Sequence, residues 1–393
     1  MRLRKSKKRR RFFIVGAIIF CALGFFAQNR WLHDLRAVQI GGAPPDVAAL
    51  ARWPWPDAKI TQPTRGVTHW RDNSAGDGTV CELIEFDFAA NPDLNFGMFD
   101  QDSDDDKPWD NRCRYWPRAA AQMTRQLNDE NRRVVALWNG SFFGYHGGSK
   151  WANKTAFHVA PVVVDGAVHN WGANHRWSFG VKTGAPDAAT SSGQPRFSTF
   201  HLPTKQTLAE SYDFASGGVQ CLIRDGKPLR LRAYGLPPLA QPVKSNAQEA
   251  GHIPDFDWMK SSRVSLAWNR DSSKLWLLFV KEPDSEGASI AALRLGGGAL
   301  GLQLRGGWSV ADVQKFWQSQ GVWCAINSDA GDVAQLSVLR RDGNYDLVPS
   351  RQGSSAMRLK FGPQFRDAPS GGALMYFYIA ENVSKSRFFG CRF

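Results

Sequence analysis

Apolar residues along this chain recur mostly with a period of two. "VCELIEFDF" (Val80 to Phe88) alternates apolar and polar positions, the pattern of a half-buried strand. "VSLAWNRDSSKLWLLFV" (Val264 to Val280) divides into two apolar runs around a polar loop and predicts a pair of strands. "HVAPVVVDGAV" and "VQCLIRDGKPL" carry the pairs Asp165-Gly166 and Asp225-Gly226. That dipeptide tolerates the positive φ of tight hairpins, so both pairs predict hairpin turns. Two stretches switch to a helical period. One is "RAAAQMTRQLN", Arg118 to Asn128. The other starts at Ser309, where Ser309 and Asp312 form a capping-box pattern and Gly321 marks the end. Its Val310, Val313, Phe316 and Trp317 fall on one face, which predicts packing on a sheet.

Each helix leads into an apolar strand and then into a polar glycine turn. "VVALWNGSFFG" (Val134 to Gly144) follows the first helix, and "VWCAINSDAGD" (Val322 to Asp332) follows the second. Helix–strand–turn units of this kind bring turn residues to one rim of a sheet, where sites on mixed α/β folds lie. The expectation is an α+β fold: a strand-rich, mixed-sheet domain with a few packed helices, both turns facing one site.

Charge changes the picture at one end only. The formal net charge is +13, and Arg2, Arg4, Lys5, Lys7, Lys8, Arg9, Arg10 and Arg11 supply eight of those positives. The remainder is mildly basic, so the balance is no sign of nucleic-acid binding. Residues 12–27, "FFIVGAIIFCALGFFA", hold no charge. Behind the basic run they read as a transmembrane signal anchor in preference to a cleaved signal peptide. The positive-inside rule then keeps residues 1–11 cytoplasmic and sends the body across the inner membrane, as a single-pass protein with its body in the periplasm or outside the cell. Residues 28–62, rich in Pro and Gly without periodicity, read as a stalk. The domain is expected over 63–380 and a tail over 381–393.

Cys81, Cys113, Cys221, Cys324 and Cys391 lie beyond the apolar segment, an odd number that leaves at least one thiol out of any intramolecular pairing. Cys324 reads as a small buried hydrophobe. No spacing of Cys and His suggests zinc.

The candidate chemistry gathers at the two glycine turns. The order "NGSFF" (139–143), "SGGVQCLIRDGKPL" (216–229), "SRVSLAW" (262–268), then the capped helix and "AINSDAG" (325–331) resembles the phosphodiester glycosidase family over roughly residues 132–347. The resemblance implies a hydrolase that releases a sugar from a sugar-1-phosphodiester, in an envelope glycan or exopolysaccharide for an exported chain. Residue by residue, it implies Asp329 as catalytic carboxylate, with Arg263 and Asn139 beside it. Asn327, Gly140, Gly217, Gly218 and Gly331 would position the substrate. Three positions depart from the family's glycine pattern: Ser141, Ala330 and Asp332.

The residue chemistry agrees in part. Arginine offers an always-charged donor fork for a phosphodiester. Glycine turns let backbone N–H groups approach an anion. Breaking a glycosidic bond needs a carboxylate, and a phosphate leaving group needs little protonation. Asp332 works against phosphate: a carboxylate about 4 Å away costs on the order of 4 kcal/mol at an effective dielectric near 20. It reads as a solvated turn residue or cap, as a divalent-cation ligand together with Asp329, or as a mark of a site that has left phosphodiesters. No cofactor is required, beyond that divalent cation in the second reading.

Several other residues have both a chemical and a blander role open to them. His146 follows the first turn and could serve as a general acid or be an exposed loop histidine. The run 100–110, "DQDSDDDKPWD", resembles a calcium loop at Asp100, Asp102 and Asp104, but Asp105 stands where such a loop needs glycine. A solvated acidic loop is the preferred reading. Trp138, Trp151, Trp171, Trp177 and Trp268 divide between sugar-stacking platforms and core, with core the commoner fate. A rival of a different class is a non-catalytic carbohydrate-binding or envelope-assembly protein on the same scaffold. A third reading is a metal-dependent hydrolase using Asp329 and Asp332.

Overall fold

The structure is a computed structural model. It describes residues 55–383 apart from 56, 74–78, 115–117, 147–154, 171–176, 185–193, 202–203, 233–246, 252–256, 258–259, 283–306 and 349–372. The expected basic segment 1–11 and the expected anchor 12–27 lie outside the described residues, as does most of the expected stalk. Among the described residues no helix is long and apolar enough to cross a membrane.

Ten strands frame the site. In chain order they are β1 (Val80–Asp87), β2 (Leu94–Asp100), β3 (Arg132–Asn139), β4 (Thr155–His158) and β5 (Phe214–Arg224). There follow β6 (Arg263–Trp268), β7 (Lys274–Lys281), β8 (Cys324–Ala330), β9 (Leu336–Leu339) and β10 (Met375–Asn382). A 12-stranded sheet has β1, β7, β6, β8 and β5 side by side at its centre. A 5-stranded sheet runs Tyr345–Val348, β9, β3, β10, β2. A 3-stranded sheet joins Cys113–Arg114, β4 and Phe143–His146.

Every ladder among these described strands is antiparallel. This corrects the α+β, mixed-sheet expectation: the fold is built from large antiparallel sheets, and its helices are accessory. The error has a definite source. A helix followed by a strand has the sequence pattern of a crossover unit feeding one sheet. In fact β3, which follows the helix α1 (Ala120–Leu127), belongs to the 5-stranded sheet, and β8, which follows α2 (Val310–Ser319), belongs to the 12-stranded one. Each strand's neighbours come from elsewhere in the chain and run against it.

The layers follow from which side chains each strand turns inward. Ile84, Phe86, Val264, Leu266 and Ile326 from the large sheet meet Phe96, Ala136, Trp138, Phe377 and Ile379 from the small one in the main core. The far face of the large sheet packs Ala267, Leu278, Val280 and Ala325 under Val310, Val313, Phe316 and Trp317 of α2. The far face of the small sheet packs Val134, Leu137 and Tyr376 under Met123 and Leu127 of α1. Strands buried on both faces lose the alternation of a half-wet strand, so β6 is buried at every position.

Several local expectations match. Ser309 caps α2, accepting from the Asp312 N–H at 3.1 Å while the Asp312 carboxylate accepts from the Ser309 N–H at 2.7 Å. Asp165-Gly166 and Asp225-Gly226 have φ of 49°, 76° and 52°, 73°, the left-handed pairs of tight hairpins.

Candidate functional site

β8 ends in a 3-10 turn, Gly331–Val333, and the chain then enters β9, so at this point it passes from the large sheet to the small one. Asn139, the last residue of β3, sits against that crossing and is fully buried. Its Nδ2 donates to Asp329 Oδ2 at 2.8 Å and to the Val333 carbonyl at 3.0 Å. Its Oδ1 accepts from the Gln335 N–H at 2.8 Å. An amide with two acceptors on one side and a donor on the other has a fixed orientation. The two polar turns therefore meet, as expected, although across two sheets and not along the rim of one. Beside them the Ser141 and Ser216 hydroxyls hydrogen-bond each other.

The glycines serve the backbone. The N–H of Gly140 donates to Met375 O at 2.9 Å, that of Gly217 to Pro161 O at 2.8 Å, and that of Gly331 to Ser262 O at 3.0 Å. These three amides are thus engaged by carbonyls and do not form an open anion cradle. A Cβ at Gly217 would lie 2.7 Å from the Ala160 Cβ, so close packing requires glycine there. Gly218 has φ +77° and sits where β5 slips register against its neighbour, a bulge.

Arg263 and Asn327 are held on the opposite face of the large sheet from Asp329. The cause is a bulge at Ser328. Val264 pairs with Asp329 while the next residue, Ser265, pairs with Asn327. In an unbroken strand Asn327 and Asp329 would share a face; the extra residue turns them apart. Asn327 Nδ2 donates to Gln220 Oε1 at 3.0 Å, and Gln220 Nε2 donates to Asp257 Oδ1 at 2.9 Å. Arg263 is fully buried, with its Nε donating to the Trp308 carbonyl at 2.9 Å. Burial pulls its guanidinium down to about 10, against the pull of Asp257, Glu282 and Asp312. Its place is a buried charge cluster near the start of α2, and the structure does not bring it to Asn139 and Asp329.

The side chains of Ala330 and Asp332 lie outside the described residues, and with them the candidate cation pair Asp329 and Asp332. The same holds for the His146 side chain, Trp151 and Trp171. Trp138, Trp177 and Trp268 are core residues with no more than 1% exposure, which excludes them as stacking platforms. Cys324 is buried as expected, and Cys81, Cys113 and Cys221 are buried as well. Burial raises Cys113 to about 12 and raises Cys324 as well, which makes both unreactive.

The acidic run is a folded loop. Asp100 Oδ1 accepts from the Asp102 N–H at 3.0 Å. Asp102 accepts from the N–H groups of Asn111 at 2.9 Å and Arg112 at 3.2 Å, and Asp104 pairs with Arg118. The calcium-loop alternative is not realised in the described residues, where Asp100, Asp102 and Asp104 form no such group, and the preferred solvated loop is only partly so, since Asp100 and Asp102 are buried. The carboxylate oxygens of Asp102, Asp105 and Asp110 instead lie within 4.8 Å of one another. Burial, with Asp100 acting the same way, raises the Asp102 carboxyl above the usual range against the backbone hydrogen bonds it receives.

One pair was missed by sequence reasoning. His158, at the end of β4, places Nε2 2.7 Å from Asp100 Oδ2, at the end of β2, and both side chains are almost wholly buried. Asp100 was hidden in the acidic run and His158 in an apolar strand, and nothing in their spacing joins them.

No family model and no curated protein matches the chain. Distant likenesses appear among solved structures. A hypothetical protein from Synechocystis is 11% identical with a TM-score of 0.48, over 84% of this chain and 65% of that one, so the chain spans just under two thirds of its length. The catalytic domain of zebrafish N-acetylglucosamine-1-phosphodiester alpha-N-acetylglucosaminidase, auto-inhibited by its pro-peptide, is 14% identical with a TM-score of 0.41, over 85% of this chain and 86% of that one.

Proposed function

We propose that the chain is a hydrolase of glycosidic bonds that works at the rim between its two large sheets, with Asp329 as the carboxylate. The observation that carries this reading is the contact of Asn139 with Asp329. It joins two motif-bearing turns 190 residues apart in the chain, with the carboxylate oriented by a fixed amide. An oriented carboxylate can activate water or stabilise an oxocarbenium-like centre. A sugar-1-phosphodiester is the first substrate to test, on the motif order in the sequence. The N-terminal basic and apolar run would deliver the body to the outer side of the cytoplasmic membrane, where envelope glycans and exopolysaccharides lie. Protease accessibility in intact cells tests that placement.

The test of activity is sugar release from a methyl-phospho-N-acetylglucosamine diester, by wild type and Asp329→Asn, with and without a chelator. Release by wild type that falls by about 10³ or more in the variant supports the assignment. Full activity in the variant removes Asp329 from the mechanism. Loss of wild-type activity on chelation points to the cation reading of Asp332.

A second reading is a carbohydrate-binding protein without turnover. It is favoured by Arg263 and the amides of Gly140, Gly217 and Gly331, all engaged by the protein itself. Ligand retained intact after long incubation, by mass spectrometry, would select it.

A further inference from the structure

We propose that Asn139 is a self-modifying residue that the fold holds shut: in the unfolded chain it deamidates by attack of the Gly140 nitrogen, and the modified chain does not rebuild the contact with Asp329. This goes beyond the hydrolase reading and holds whatever the site binds.

The reactivity is set by sequence. Asn139-Gly140 is the only Asn-Gly pair in the chain. An asparagine side-chain carbonyl lies within reach of the next residue's backbone nitrogen, and a side chain on that next residue hinders the approach. Glycine has none, and it leaves the backbone free to take up the attacking geometry. In the step, the Gly140 nitrogen bonds to Asn139 Cγ and gives up its proton, while the Cγ–Nδ2 bond breaks and Nδ2 leaves as ammonia with that proton. A succinimide ring remains. Water then opens the ring at either carbonyl carbon. One opening gives an aspartate at position 139. The other gives its isoaspartyl isomer, whose main chain runs through the side-chain carbon. The net change is amide plus water to carboxylic acid plus ammonia, with no other reactant.

The fold withholds each requirement of that step. Asn139 is the last residue of β3, pairs with Tyr376 and has 0% exposure, so bulk water does not reach it. The Gly140 N–H, whose proton must leave, donates to the Met375 carbonyl at 2.9 Å. The Asn139 amide is held from both sides, Nδ2 by Asp329 and the Val333 carbonyl and Oδ1 by the Gln335 N–H. Its Cγ therefore does not turn toward the Gly140 nitrogen. Gly140 is itself packed, since a Cβ there would lie 2.9 Å from Met375 Cγ. Reaction in the native state is thereby limited to the molecules that open.

The product does not fit the place it came from. An aspartate has no amide hydrogen for Asp329 or for the Val333 carbonyl, and it sets a second carboxylate where Nδ2 stood 2.8 Å from Asp329 Oδ2. Isoaspartate also lengthens the main chain between the residue that pairs with Tyr376 and the one that bonds the Met375 carbonyl. Either change parts the end of β3 from the turn after β8. The modification thus acts one way: a chain left unfolded for long loses its return to this contact.

The test follows position 139 by peptide mapping in heavy-oxygen water, which labels each newly made carboxyl. The full chain is held in mildly alkaline buffer, folded in one arm and in guanidinium chloride in the other. Label is expected at position 139 in denaturant, and about 10³-fold or more slowly in the folded chain, as the small unfolded fraction at equilibrium dictates. Rates that agree within about tenfold overturn the protection. Held chains are then returned to native buffer, and the folded and unfolded fractions are mapped separately. Label at 139 is expected to concentrate in the unfolded fraction; equal label in the folded fraction overturns the one-way step. Asn139→Gln, whose longer side chain closes a ring far more slowly, is expected to give the same folded yield before and after the hold. A yield that falls as far as that of wild type overturns the assignment to Asn139. Asn139→Asp, made directly, reads the consequence without refolding: its urea midpoint at neutral pH is expected below that of wild type, and an equal midpoint overturns the proposal.

Discussion

Asn139→Ala would remove the one side chain that ties Asp329, the Val333 carbonyl and the Gln335 N–H together. All three partners are buried or lie beside buried backbone, and Asn139 itself has 0% exposure, so water does not replace the lost amide without rearrangement. The Val333 carbonyl and the Gln335 N–H cost about 1–3 kcal/mol each when left unsatisfied, and Asp329 loses one of its hydrogen bonds. Partial relaxation of the turn lowers the sum, and we expect a loss of about 3–5 kcal/mol. That is a large share of the roughly 5–15 kcal/mol by which folded proteins are stable. The assay is urea denaturation of the full chain followed by tryptophan fluorescence, comparing midpoints at equal slope. Asn139→Asp separates the charge from the geometry. It sets a second carboxyl near 3 Å from Asp329, where two ionised groups repel by about 6 kcal/mol at an effective dielectric near 20. One pKa of that pair must rise above its unfolded value. The variant is then least penalised below the ordinary carboxylate range, near pH 4, and loses stability as pH rises through the raised value. A loss below about 1 kcal/mol in Asn139→Ala, together with a pH-independent Asn139→Asp, would refute the contact on which the site is built.

Arg263→Met is expected to act on stability before substrate affinity. It removes a fully buried cation that Asp257, Glu282 and Asp312 favour electrostatically, at a cost of about 3–5 kcal/mol read as a fall in denaturation midpoint. A variant of unchanged stability with a raised KM would instead put the guanidinium on the substrate. Glu381 ties the small sheet's far end, accepting from Thr64 at 2.9 Å, Asn91 at 3.0 Å and Arg133 at 2.5 Å. Burial pushes its carboxyl up, and the hydrogen bonds from Arg133, Asn91 and Thr64 together outweigh that and hold it below its usual value. Its contribution is therefore present above the unfolded pKa and lost as pH falls through the depressed one. Glu381→Gln should be less stable at neutral pH and show a flatter acid limb in the pH dependence of unfolding; an unchanged acid limb would remove Glu381 from it.

Local features were legible because local physics sets them. The capping box at Ser309 and Asp312 is closed within one turn of helix, and Asp225-Gly226 reverses the chain over two residues. The two-strand reading of Val264 to Val280 is realised as β6 and β7. Sheet composition was not legible, since which strand lies beside β3 or β8 depends on segments far away in sequence. The same limit applies to Arg263, which is apolar in context and charged in chemistry; nothing nearby in sequence announces Asp257, Glu282 and Asp312 as its surroundings.

The amino-acid sequence by itself determined the strands, the caps, the hairpin turns and the two polar turns that carry the candidate chemistry, because each is decided by neighbours within a few residues. Only the tertiary structure decided that these turns meet across two antiparallel sheets, with Asn139 on Asp329. It alone decided that a single bulged residue, Ser328, turns Asn327 away from that contact and into the layer of Arg263. A period of two is a local rule, whereas a bulge is visible only in the register against a partner strand. The pairing of Asp100 with His158 has the same origin: two strand ends 58 positions apart in numbering become neighbours only once the sheets that carry them have packed.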